Sequence, residues 1–296
     1  MTQAAFADRL MARVRDMGPL CVGVDPHPAL LPPLFGPPGA EAAGRWGRAL
    51  VERCAGRVAV VKPQAGLFER WGSAGMAALE SVCAAARDAG LLVLLDAKRG
   101  DIGSTAEGYA EGYLGDGASC YADAITVNPY MGVDTIEPYV KIAERRGKGV
   151  VVLARTSNPG SADFQARLID REPLYIHVAR ALGPMIARLK GPETGWSGLM
   201  LVAGATGPDE ARALREAAPD ALFLVPGYGA QGAGADEALA GFVRRNGRLE
   251  GGMVSASRSA ASPAGSVEAA TAQDWEARID AAIAAASADL AQAATG

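Results

Sequence analysis

Histidine is nearly absent: a chain of 296 residues has only His27 and His177. That leaves little material for a His-rich zinc site or a Ser-His-Asp triad. Cysteine is scarce too. Cys21, Cys54, Cys83 and Cys120 form no C-x-x-C pair and read as buried or incidental thiols of a reducing cytosol. Long apolar runs are missing. No segment approaches the length of a bilayer span, and the opening residues 1–18 lack the apolar stretch of a secretory signal and read as an amphipathic helix. Excess positive charge is missing as well, the net charge being −4, so neither nucleic acid nor a membrane surface is an expected partner. Aromatics make up 6% of the chain, and Trp46, Trp71, Trp196 and Trp275 have no basic groove beside them that would make a base-stacking platform. They read as packing or surface residues.

What is abundant is small and aliphatic. Hydrophobic residues make up 49% of the chain, enough for a sizeable core. They concentrate in eight short runs, at 19–25, 57–63, 91–98, 123–129, 149–156, 198–204, 221–227 and 251–257. The runs are continuous, as strands buried on both faces of a parallel sheet are. Helical patterns separate them; 208–210, Pro-Asp-Glu, is an acidic helix start, and Gly90 reads as a helix C-cap. Eight such strand–helix units predict an α/β fold, a (β/α)8 TIM barrel, with residues 1–296 as one domain. The competing doubly wound sheet would carry a Gly-rich first turn, and Gly23-Val24-Asp25-Pro26 is not one. Segments 32–44 and 257–272 read as loops. The Ala-rich tail 273–294 reads as a last helix with frayed final residues.

Charges stand where the runs stop. Asp25 ends the first, Lys62 the second, and Asp96 with Lys98 the third. Strand ends form the catalytic face of a barrel. Asp96 and Lys98, two apart, point the same way in an extended chain. A lysine–aspartate–lysine row in a dry pocket is costly and needs a reason. At the other side, the loop 227–232 (Gly-Tyr-Gly-Ala-Gln-Gly) follows the seventh strand and Arg258 the eighth, the usual phosphate site of a barrel. Glycines let backbone N–H groups approach an anion, and Arg offers a bidentate fork. Asn128-Pro129-Tyr130 reads as a turn, and His27 as a loop residue.

The stretch Asp96-Ala-Lys98-Arg-Gly-Asp101-Ile102-Gly-Ser-Thr105 resembles orotidine 5′-phosphate decarboxylase. So do V-D-P at 24–26, V-K-P at 61–63, R-T-S-N-P-G at 155–160, P-G-Y-G-A-Q-G at 226–232 and Arg258, in forms similar to the longer bacterial subfamily. The resemblance implies a cofactor-free, metal-free decarboxylase of a small nucleotide, cytoplasmic and homodimeric. It implies that Lys62, Asp96, Lys98 and Asp101 form a charged tetrad and that Asp25 and Lys62 hold ribose hydroxyls. Asp101 and Thr105 would enter from the other subunit. Ile102 would line the pyrimidine pocket, Ser157 read the pyrimidine edge, and Gln231 and Arg258 grip the phosphate. Arg155-Thr156 stands where many relatives have an acid and Met.

Three alternatives remain at this point. One is a barrel lyase of the same superfamily acting on a sugar phosphate through a metal-bound enediolate; Lys62 at the strand end argues against its divalent cation. Another is a Schiff-base aldolase using a buried Lys. The third is a silent phosphate-ligand binding protein, against which an intact charged row stands. Asp101 also has a purely local reading, as a helix N-cap.

Overall fold

All eight apolar runs become parallel strands in the computed structural model, which describes residues 4–245 and 247–295. They are β1 (Leu20–Val24), β2 (Val60–Pro63), β3 (Leu92–Arg99), β4 (Ala124–Val127), β5 (Gly149–Arg155), β6 (Ser197–Ala203), β7 (Ala221–Val225) and β8 (Gly252–Ala256). Each pairs with its successor. The circle closes where β8 meets β1 at Leu20↔Val254, Cys21↔Ser255 and Val22↔Ala256. The sheet is therefore a (β/α)8 barrel.

Alternate residues of each strand fall into two apolar clusters. Leu92 and Leu94 of β3, Met200 and Val202 of β6, and Leu222 and Leu224 of β7 share the barrel interior. Their neighbours Val93, Leu201 and Phe223 face the surrounding helices. Both faces are dry, which is why the runs are continuous. Helix Phe6–Met17 plugs one end: Phe6, Leu10 and Met11 join the interior cluster. A Cβ on Gly149, the first residue of β5, would lie 2.5 Å from the Phe6 ring, so the plug covers the N-terminal ends of the strands. Each fully buried side chain of this size contributes about 1.5–3 kcal/mol. Trp46, Trp196 and Trp275 are buried packing residues, as expected, and the four cysteines are free and buried.

Several local expectations are corrected. Segment 32–44 is not all loop: Pro33–Phe35 forms a 3-10 turn, where the proline presets φ, and a helix starts at Ala40. Segment 257–272 contains the helical turn Arg258–Ala261, held by burial of Ala260 and Ala261. The last helix is present as Ala272–Thr295, and Ile279, Ile283, Ala286 and Leu290 bury one continuous stripe along it. Between β5 and helix Leu174–Ala181 lies an unanticipated hairpin, Leu168–Ile169 with Glu172–Pro173.

Candidate active site

The inward parity that buries Val60 carries forward two residues to Lys62, and that of Leu92 and Leu94 carries to Asp96. Where the strands end, the interior changes from apolar to charged. A cavity of about 920 Å³ opens there, lined by Asp25, Lys62, Asp96, Lys98, Ser157, Gln231 and Arg258 among others. Seven residues singled out from the sequence thus share one site. Leu153, Val202 and Leu224 form an apolar part of its wall, which strengthens every charge interaction within it.

Asp96 is the hub. Oδ2 accepts from the Lys62 ammonium at 2.9 Å and from Gln64 Nε2 at 3.1 Å. Oδ1 accepts from the Lys98 ammonium at 2.5 Å and from the Thr126 hydroxyl at 2.9 Å. Four donors fill the lone-pair sites of one carboxylate. Burial opposes the charge of Asp96, but the two lysines outweigh it and hold its pKa well below the usual carboxylate range. Burial likewise opposes the charge of Lys62, and Asp96 and Asp25 together raise its pKa above the ordinary ammonium value. Asp25 Oδ1 lies 4.0 Å from Lys62 Nζ and has no hydrogen-bond partner among the described residues, so a residue lining the cavity keeps a buried acceptor unpaired. The Lys98 side chain is 46% exposed.

Gln64 and Thr126 were not singled out from the sequence. Thr126 had a signal: it shares the interior parity of Ala124 on β4. Lys98 differs from expectation in its route. Its φ of +48° breaks the extended chain, so its meeting with Asp96 comes from a left-handed bend and not from strand alternation.

Asp101, Ile102 and Thr105 do not line the cavity of their own chain. Asp101 accepts the Ile102 N–H at 2.8 Å, and helix Gly103–Leu114 begins without a side-chain cap, so Asp101 is not its N-cap. Ile102 is 59% exposed, and Tyr130 and Met131 are exposed as well. Asn128 accepts the Tyr130 N–H at 3.0 Å, which is turn geometry.

At the opposite side of the cavity, Gly227 adopts φ +108°, a bend that a side chain would strain. The Tyr228 hydroxyl donates to Asp289 of the last helix at 2.6 Å. Arg258 donates to the Ala230 carbonyl at 3.3 Å, which brings a cation of the β8 end onto the Gly-rich loop. Thr156, Asn158 and Gln165 line the cavity near Ser157, and Gln165 Oε1 accepts the Thr156 N–H at 2.8 Å. Arg155 turns outward to Glu210 at 3.3 Å. His27 lines the cavity mouth. Among the described residues no three His, Cys, Asp or Glu side chains gather as a metal site, and no helix is long and apolar enough to cross a membrane.

The chain is similar to known proteins. A family model described as the orotidine 5′-phosphate decarboxylase / HUMPS family matches residues 18–272. A relative from Salinispora tropica, named orotidine 5′-phosphate decarboxylase, is 44% identical over 232 residues, 78% of this chain and 81% of its own length. One of the same name from Rhodopirellula baltica is 40% identical over 248 residues, 79% of this chain and 82% of its own. The solved structure of Leishmania donovani OMP decarboxylase superposes with a TM-score of 0.76 at 33% identity, covering 99% of this chain and all of the other.

Proposed function

The chain belongs to the orotidine 5′-phosphate decarboxylase / HUMPS family, and we propose that it is the carbon–carbon lyase that turns orotidine 5′-phosphate into UMP and CO2 in pyrimidine biosynthesis. The observation that carries this reading is the Lys62–Asp96–Lys98 row at the floor of a nucleotide-sized cavity with a Gly-rich loop and Arg258 on its far side.

The reaction breaks the bond between C6 of the pyrimidine and its carboxylate. CO2 leaves, and the electron pair stays on C6, where no ring carbonyl is placed to take it up. Lys98 stabilises that charge as an ammonium and then gives C6 a proton, recovering one from solvent. Asp96 fixes Lys98 and stands near the departing carboxylate, and Lys62 keeps Asp96 ionised. Asp25 and Lys62 hold the ribose; the unpaired Asp25 Oδ1 offers an acceptor for a hydroxyl. Ser157 reads the pyrimidine edge. Gln231 and Arg258 grip the phosphate, whose distant binding energy orders the site.

Asp101 completes the tetrad from a second copy of the chain, with Thr105 on the same ribose and Ile102 against the pyrimidine. The exposed side chains of Ile102, Tyr130 and Met131 offer apolar surface for such a homodimer. Residues 1–296 act as one decarboxylase domain, with four free cysteines suited to the cytoplasm. The chain's own side chains supply the chemistry, without cofactor or metal. A sugar-phosphate lyase would want an acidic metal ligand where Lys62 stands.

The test is the fall in ultraviolet absorbance as orotidine 5′-phosphate becomes UMP, in excess EDTA. Steady turnover is expected. No turnover by folded protein, or turnover abolished by EDTA, would overturn the reading.

A further inference from the structure

The pairing of β3 with β4 slips next to the charged row. Leu95 pairs with Ile125 and Arg99 with Val127, so four steps along β3 match two along β4. The two surplus residues bulge, and their N–H groups lose ladder partners. Both turn to one atom: Thr126 Oγ1 accepts the Ala97 N–H at 3.0 Å and the Lys98 N–H at 2.9 Å. The same oxygen donates to Asp96 Oδ1 at 2.9 Å. A hydroxyl has two lone pairs and one proton. With both lone pairs taken by N–H groups, its proton is left for the carboxylate.

Lys98 sits at φ +48°, a conformation that side-chain-bearing residues rarely adopt and hold only when the surroundings over-determine it. Thr126 is 1% exposed and supplies that determination. We propose that Thr126 is a positioning residue for the decarboxylation: its one hydroxyl locks the left-handed bend at Lys98 and sets the Lys98 ammonium and the Asp96 carboxylate in register with each other. Thr126 does no proton transfer of its own. Its effect reaches the reaction through the backbone of Lys98 and through one oxygen of Asp96. The proposal rests on the decarboxylase reading for its kinetic consequence, but the geometry it asserts is independent of substrate.

Two substitutions separate the hydroxyl from the packing. Thr126→Val keeps the volume and loses every hydrogen bond; Thr126→Ser keeps the hydroxyl and loses a methyl. Thr126→Val is expected to lower kcat about 10²–10³-fold with KM and UMP affinity within about fivefold of wild type, while Thr126→Ser stays within about tenfold in kcat. A residue that merely fills space gives the reverse order. Equal kcat for Thr126→Val and wild type, or equal losses for Val and Ser, would overturn the proposal. Should Thr126→Val fail to fold, Thr126→Ala against Thr126→Ser gives the same contrast. A crystal structure of the Val or Ala variant reads the geometry without any activity: Lys98 should leave the left-handed region, and its retention there would also overturn the proposal. Wild-type protein without turnover would count against the decarboxylase reading alone, since the structural arm stands apart from it.

Discussion

Lys98 turns back onto Asp96, two residues earlier on the same strand, and places its ammonium 2.5 Å from Oδ1. The other oxygen of that carboxylate takes Lys62 from the neighbouring strand at 2.9 Å. One buried aspartate therefore holds two ammonium groups, one buried and one open to the cavity. Removing either lysine leaves a charge imbalance in a dry place, and that is why such a row persists only where its charges are used.

The phosphate end is tested by Arg258→Ala. KM for orotidine 5′-phosphate should rise by about 10²-fold or more, with a smaller fall in kcat, because remote binding energy also orders the reacting end. Orotidine itself, without the phosphate, should be a very poor substrate for the wild type. Steady-state kinetics on both substrates checks this; unchanged kinetics for Arg258→Ala would place the phosphate elsewhere.

The dimer is tested by complementation. Asp101 lies outside its own cavity, so Lys98→Ala and Asp101→Ala homodimers should each be nearly inactive. Mixed under subunit exchange, they form hybrids with one site carrying both defects and one carrying neither. Activity should recover to about a quarter of wild type in a statistical mixture. No recovery, with hybrids verified by native mass spectrometry, would mean that Asp101 acts within its own subunit.

Much of this arrangement is legible in the sequence, and the exceptions have physical causes. The eight strands show as apolar runs because both their faces are dry. Lys62 and Asp96 show because a charge at the end of an apolar run is conspicuous. Thr126 and Gln64 are neutral polar residues near strand ends, indistinguishable by type from ordinary turn residues; only the interior parity of Ala124 and Thr126 points to one of them. The bend at Lys98 is invisible, because a bulge is set by pairing between strands and leaves no mark on one strand's composition. The hairpin at 168–173 turns on Asp170 and Arg171, both at positive φ, with none of the glycine or asparagine that marks such turns.

A buried lysine away from the site gives a pH-dependent prediction. The Lys148 Nζ has no hydrogen-bond partner among the described residues and sits 3.6 Å from the centre of the Tyr121 ring. Burial lowers its pKa to about 8, against the pull of Asp123 and helped by Arg9, Arg87 and Arg146. The unfolded chain thus binds this proton more tightly than the folded one, and stability rises with pH from about 8 to the ordinary lysine value near 10.4. Lys148→Met should stabilise the protein at pH 7 by roughly 1–3 kcal/mol, and the gain should shrink as pH rises through that window. Denaturant unfolding of both proteins at pH 7 and pH 10 measures it; a gain independent of pH would assign the effect to packing.

The central claim is that Lys98 stabilises and protonates the carbon left when CO2 departs. Its most direct test is Lys98→Ala, measured both for turnover of orotidine 5′-phosphate and for UMP affinity. The charge that Lys98 meets develops only in the transition state, so kcat should fall by about 10³-fold or more while the UMP dissociation constant stays within about tenfold. Turnover at a wild-type rate by correctly folded Lys98→Ala protein would contradict the account.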